Sequence, residues 1–401
     1  SKKTPTVREL KNKKIVRMDD FEDIRPYRDA EVPVVLRRLV ADKEFLDLLI
    51  ERQFPRLFDF SPNMMRFLFR WGMTWSLRNI NTVYDFQKYL SFKLKKILSE
   101  TTDQYTFSGI NGLKASKAYL FMSNHRDIAL DPALIILGLV ESGRDSLRIA
   151  IGDNLLTKPF ASDLMRLNRS FIVKRSLSAL REKMIALRQL SSYIRNSICC
   201  ECISIWIAQA EGRAKDGHDR TETALLKMLA LSRSNDQTFG AAIKDLSIVP
   251  VAIAYEYDPC VSDKAKQLRA RQSGDTYIKG DYEDLESIKK GFIGYKGRVH
   301  VSFGDAIDIE VETPEELSNE IDRQIFALFQ LFPSHIIAWQ LLNPDRDHKS
   351  LQNLWPKEDW TAARRKFVRH VAELPVEYRD IALESYAAPV IDQLASNGSI
   401  E

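Results

Sequence analysis

Apolar positions follow two rhythms along this chain. From about 31 to 104 they recur every three to four residues, as in Val83, Phe86, Leu90, Leu94 and Ile97, which is the period of an amphipathic helix. From about 105 onward, short continuous apolar runs appear at 118–122, 147–151, 170–173, 203–208, 247–254 and 298–303. Runs of this length between polar segments read as buried strands, and helical patterns at 176–196 and 221–232 lie between them. Strand and helix in alternation predict an α/β fold with a mainly parallel sheet flanked by helices. The segment 262–290 is charged and irregular and reads as an insertion or a small subdomain. After about 313 the helical rhythm returns, opened by Thr313-Pro314-Glu315-Glu316, with Thr as N-cap and Pro in the first turn. The expected organisation is a polar arm at 1–30, a helical domain at 31–104, an α/β domain at 105–312 and a helical extension at 313–401.

Composition narrows this little. With 44% hydrophobic residues the chain can bury a full core, and a net charge of +4 gives no reason to expect a nucleic-acid partner. The cations cluster, however. One cluster is Lys2, Lys3, Arg8, Lys11, Lys13, Lys14 and Arg17, which reads most simply as a solvated face. The other is Arg166, Arg169, Lys174, Arg175, Arg181, Lys183 and Arg188, which suits phosphate, anionic lipid or an acidic carrier protein. No run approaches the ~18–20 apolar residues of a membrane span, and no apolar signal stretch follows the basic start. A cytoplasmic protein, peripheral to membrane, is the expectation.

Two segments carry alternative readings. Phe54, Leu57, Phe58, Phe60, Met64, Met65, Phe67, Leu68, Phe69, Trp71, Met73 and Trp75 are interleaved with Arg56, Arg66, Arg70 and Arg78. This is either a helix packed against the main domain or an interfacial membrane-docking surface. Cys199, Cys200 and Cys202 lack zinc spacing and a nearby histidine, so with Cys260 they read as small buried residues in a reducing compartment. No metal or organic cofactor is expected.

The chemistry concentrates in four blocks. Asn124-His125-Arg126-Asp127-Ile128-Ala129-Leu130-Asp131-Pro132 follows an apolar run and precedes an apolar helix, so a histidine and two aspartates sit at a strand-to-helix turn. A histidine oriented there by a carboxylate can act as a general base. Asn168-Arg169-Ser170-Phe171-Ile172-Val173-Lys174-Arg175 is a strand that delivers cations at its end. Ile207-Ala208-Gln209-Ala210-Glu211-Gly212-Arg213-Ala214-Lys215 is a strand running into a glycine-bearing polar loop. Ile248-Val249-Pro250-Val251-Ala252-Ile253-Ala254-Tyr255-Glu256 is a β run interrupted by proline.

In this order the blocks resemble those of the glycerol-phosphate acyltransferases, over roughly residues 105–310. Gly152-Asp153-Asn154-Leu155 with Lys158-Pro159-Phe160, and the helical region ahead of the α/β domain, are similar to the soluble plastid glycerol-3-phosphate acyltransferases. The resemblance implies acyl transfer from a thioester, carried by coenzyme A or an acyl carrier protein, to a hydroxyl of glycerol 3-phosphate or 1-acyl-glycerol 3-phosphate. Tyr255-Glu256 looks more like the glycerol-3-phosphate enzymes. By resemblance His125 is the general base and Asp131 its partner, with Asp127 the alternative. Lys174, Arg175 and Arg213 would take the substrate phosphate. Backbone N–H groups near Glu211-Gly212 or at the helix start would stabilise the oxyanion, Glu211 would orient Arg213 or bind a substrate hydroxyl, and Val249, Pro250 and Val251 would line the acyl channel. The chain departs from the family in one respect: five residues separate His125 from Asp131, where the family usually has four. A lipid-binding or scaffold protein of the same fold, inactive through that change, is the alternative, and an acyltransferase with a non-phosphorylated acceptor is a third reading.

Overall fold

The apolar runs become the strands of one sheet. The computed structural model describes residues 18–54, 61–274, 277–280 and 282–398. Seven strands, β1 (Gln104–Ser108), β2 (Leu120–Ser123), β3 (Arg148–Gly152), β4 (Ser170–Val173), β5 (Ile205–Ala208), β6 (Ile248–Tyr255) and β7 (Arg298–Phe303), stand in the order β1-β7-β6-β2-β5-β3-β4. From β6 to β4 all neighbours are parallel; β7 runs antiparallel to β6, and β1 pairs parallel with β7.

Side chains alternate between two cores. Leu120, Met122, Ile205, Ile207 and Ile248 enter one cluster, while Phe121, Trp206, Val249, Val251 and Ile253 enter the other. Because both faces are covered, the strands read as continuous apolar runs rather than alternating ones. Pro250 is tolerated in the middle of β6 for a geometric reason. Its carbonyl accepts from Gly304 N–H at 2.8 Å, on the β7 side. The N and C=O of one strand residue point the same way, so the missing N–H removes no bond to β2. The register with β7 begins only at Val251. β1 escaped the sequence reading because it is an edge strand with exposed ends and a polar sequence, QYTFS.

Ahead of the sheet lie α1 (Val32–Ala41), α2 (Lys43–Gln53), α3 (Pro62–Leu77) and α4 (Val83–Thr101). The crossovers supply α5 (Leu130–Glu141), α6 (Pro159–Leu167), α7 (Leu180–Cys199), α8 (Thr223–Leu229) and α9 (Phe239–Lys244). Two helices, α10 (Val261–Gln272) and α11 (Glu283–Ile293), occupy the segment expected to be irregular. Its helical period was hidden because α10 buries Lys264 and Gln267 alongside Val261 and Ala265. After β7 come α12 (Pro314–Leu328), α13 (Pro333–Leu342), α14 (Lys349–Gln352), α15 (Trp360–Ala372) and α16 (Arg379–Ser396), which complete one of the two cores. Thr313 caps α12 and forms a capping box with Glu316.

Two further expectations change. The part of the polar arm that is described, 18–30, is docked rather than free: Phe21 and Ile24 are buried, and the Ile24 carbonyl accepts from Ile172 N–H at 2.9 Å. Residues 1–17, with their basic cluster, lie outside the described residues. Cys260 is buried, but Cys199, Cys200 and Cys202 are exposed, because they fall at the end of α7 and in the turn that follows. No single helix among the described residues is long and apolar enough to cross a membrane.

Candidate active site

The chain leaves β2 toward β3 on one side and, from β5, crosses to β6 on the other. The carboxyl end of β2 is therefore a switch point, where an open α/β sheet forms a crevice. Asn124, fully buried, fastens this corner. Its Oδ1 accepts from Ile253 N–H at 2.8 Å, and its Nδ2 donates to Ile253 C=O at 3.0 Å and to Asp219 Oδ2 at 3.1 Å. Arg126 turns away behind the corner, donating to Asp219 Oδ2 at 2.6 Å and to Gly217 C=O at 2.9 Å. Ala214 N–H donates to His125 C=O at 2.9 Å. These bonds tie the loop after β5 to the histidine turn.

Between them, His125 Nδ1 lies 2.9 Å from Asp131 Oδ2. Asp131 is fully buried in the first turn of α5. The same Oδ2 accepts backbone N–H bonds from Arg126 at 2.6 Å and Asp127 at 2.9 Å, and Oδ1 accepts from Tyr255 O–H at 2.7 Å. Charge-assisted bonds of this number fix the carboxylate in place. With Nδ1 engaged, Nε2 is the ring nitrogen left for a substrate, and the ring borders an open cleft. Trp206 meets the imidazole edge-on, with centroids 5.6 Å apart, and is itself held by a 2.9 Å bond from Nε1 to Ser123 Oγ.

The extra residue between His125 and Asp131 is absorbed by Asp127. Its Oδ1 accepts from Ala129 N–H at 3.0 Å and Leu130 N–H at 2.8 Å, which closes a side-chain turn ahead of the helix. Asp127 thus lies behind the turn and makes no bond to the imidazole, so of the two candidate partners the geometry selects Asp131. It also occupies two N–H groups of the helix start, which removes them as oxyanion donors. Burial, together with the nearby Asp131 charge, pushes the Asp127 carboxyl up from 3.8 to about 6. Between those values the folded protein holds a proton that the unfolded chain has released, so stability falls as pH rises through this window. Asp127→Asn keeps the acceptor oxygen but cannot ionise. Its melting midpoint is expected to exceed the wild type's by an amount that grows from pH 4 to pH 7, worth at most about 3 kcal/mol. A difference that stays constant with pH would contradict this.

The cleft has a volume of about 770 Å³ and is walled by β3, β5, α7, the Glu211–Lys215 loop and α10. Its cations differ in how free they are. Lys174 pairs with Asp23, and Arg175 lies 3.4 Å from Glu211, so Glu211 serves Arg175 rather than Arg213. Arg213 makes one long contact, 3.4 Å to Ser287 Oγ, and its Nη1 is buried without a partner. Lys215 and Arg271 line the same wall. Neither makes an ion pair or a side-chain hydrogen bond among the described residues. Burial first, then the charges of Arg271, Arg213 and Lys279, lower the Lys215 pKa. Gly212 lines the cleft with φ at +80°, a backbone form that favours glycine.

Residues 104–254, from the first strand to the end of the sixth, match the family model described as Acyltransferase. That span is similar to an acyltransferase domain. No curated protein matches its sequence. Among solved structures it is similar to the 1-acyl-sn-glycerophosphate acyltransferase PlsC from Thermotoga maritima, at 13% identity and a TM-score of 0.37, covering 74% of this chain and 94% of that one.

Within the matched span, the expected acyl-channel residues require correction. Val249 and Val251 are fully buried in the core and Pro250 is buried between them; none of the three lines the cleft. Their side chains pack wholly within the cores on the two sides of β6. The apolar lining comes instead from Ile149, Ile151, Leu187, Leu190, Trp206 and Met228. Arg271 and Trp206 were not singled out in the sequence. Arg271 lies beyond the matched span, on a helix whose period was hidden, and Trp206 read as one more apolar strand residue.

Proposed function

We propose that this protein transfers an acyl group from a thioester to a hydroxyl of glycerol 3-phosphate or 1-acyl-glycerol 3-phosphate. The observation that carries the reading is a histidine steadied through Nδ1 by a buried, fully bonded aspartate, opening on a cleft that is also lined by Arg213, Lys215 and Arg271, which have no carboxylate partner among the described residues. The acceptor hydroxyl attacks the thioester carbonyl while His125 Nε2 takes its proton. Asp131 stabilises the resulting imidazolium. The tetrahedral centre collapses, the carbon–sulfur bond breaks, and the thiolate leaves with the proton returned by the imidazolium. A thiolate is a good leaving group, so no protein nucleophile is required. The developing oxyanion falls to a backbone N–H near Gly212. The donor is a coenzyme A or acyl-carrier-protein thioester, and the acyl chain lies along the apolar lining of the cleft.

The acceptor phosphate belongs on the Arg213 side, because Lys174 and Arg175 already have carboxylate partners whereas Arg213 and Lys215 have none among the described residues. Arg213→Ala should raise the KM for glycerol 3-phosphate by about 10–100-fold, the scale of one or two lost bonds to a charged group. Lys174→Ala should change it by less than about threefold. The reverse ranking would move the phosphate to the Lys174 side. Equal KM values in wild type and Arg213→Ala would favour an acceptor without phosphate.

A further inference from the structure

One helix carries two apolar faces. Met65, Phe69, Met73 and Leu77 of α3 turn inward against the helices ahead of the sheet. A surface helix needs only one such stripe to pack. Met64, Phe67, Leu68, Trp71 and Trp75 form a second stripe, at i, i+3, i+4, i+7 and i+11, and they are 51%, 69%, 49%, 68% and 60% exposed. In a water-facing position these side chains would ordinarily be polar, and contiguous exposed aromatics mark an interaction surface.

We propose that this outward face of α3 docks on an anionic lipid surface. Charge selects that occupant. The stretch 61–101 holds seven Lys and Arg against two Asp and Glu, and α3 itself has no acidic residue. Arg78 lies 4.5 Å over the Trp75 ring, on the exposed side. Tryptophan and arginine together suit the headgroup boundary, where the ring is half-solvated and the guanidinium reaches phosphate. Position fits as well. α2 lies near the cleft: Lys158 Nζ, three residues beyond the lining residue Leu155, lies 2.8 Å from Glu44, and Tyr282 O–H, two residues before the lining residue Asp284, donates to Glu44 at 2.5 Å. A protein held by α3 would keep its cleft close to a lipid surface, from which an amphiphilic acceptor or product could move over a short path. The docking surface goes beyond the acyl-transfer reading, and its test does not depend on that reading.

The experiment is flotation of the purified full chain with phosphatidylcholine vesicles, with and without about one-third phosphatidylglycerol. It is repeated for Trp71→Ser/Trp75→Ser, with circular dichroism to verify the fold. Wild type should float with the anionic vesicles and poorly with the neutral ones. The double variant should lose at least about tenfold in partitioning. Thiol release from a soluble donor should be the same for both, which separates failed docking from failed chemistry. Equal flotation of variant and wild type, or no flotation of either, would overturn the proposal. A wild-type dimer that becomes monomeric in the variant would assign the face to a second copy and overturn it too.

Discussion

His125→Ala should lower acyl transfer by ~10²–10⁴-fold while leaving the melting midpoint within a few degrees of wild type. The size follows from the chemistry: a free hydroxyl at neutral pH holds its proton, and without Nε2 only water can accept it. The mildness toward the fold follows from the structure. The imidazole borders an open cleft, and among the described residues its one hydrogen bond is to Asp131, which keeps three other donors when the ring is gone. Steady-state thiol release together with a thermal melt checks both halves. Turnover within about tenfold of wild type would remove His125 from the base role.

Asp131→Asn should be the more damaging change overall. The side chain accepts four hydrogen bonds and donates none. An amide that turns its –NH2 toward the backbone leaves that donor facing the Arg126 and Asp127 N–H groups, at about 1–3 kcal/mol, and one that turns it toward Tyr255 forces the hydroxyl to give up its own bond and accept instead. In either orientation the imidazole would lose the carboxylate charge that stabilises its protonated form. Asparagine in this position behind a general-base histidine costs about 10⁴ in turnover where the geometry is otherwise kept. The expected result is therefore a clearly lowered melting midpoint together with a catalytic loss comparable to His125→Ala. Asp127→Asn is the internal comparison: it lies two residues from the histidine but behind the turn, and should retain turnover within a few-fold. If the Asp127 variant were the inactive one, the pairing at Asp131 would not be the productive one.

How much of this was legible before the structure depends on what each residue's signal was. Strands β2, β5 and β6 announced themselves because both of their faces are covered, which leaves continuous apolar runs. Val249, Pro250 and Val251 carry the same signal, and an apolar run does not tell a strand packed wholly in the core from one such as β5, whose Trp206 also borders the cleft. His125 and Asp131 were visible as a motif, but their relation to Asp127 was not: both aspartates are polar residues at a turn, and only the backbone path shows one capping the helix and the other reaching the ring. Among the cations the sequence records charge but not pairing. Lys174 and Arg175 looked free because Asp23 and Glu211 are distant in the chain or exposed. Arg271 escaped notice because α10 is so polar that its helical period is faint. The double-faced character of α3 was half legible, as an aromatic segment with two readings; Leu57, Phe58, Phe60 and Arg56 of that segment lie outside the described residues.

The most direct measurement is thiol release from an acyl thioester by the purified wild-type protein, with and without glycerol 3-phosphate or its 1-acyl derivative, with the ester product identified by mass. Acyl transfer requires that release depend on the acceptor and match ester formed, mole for mole. Tight lipid binding with no release, or release of equal rate without any acceptor, would contradict it.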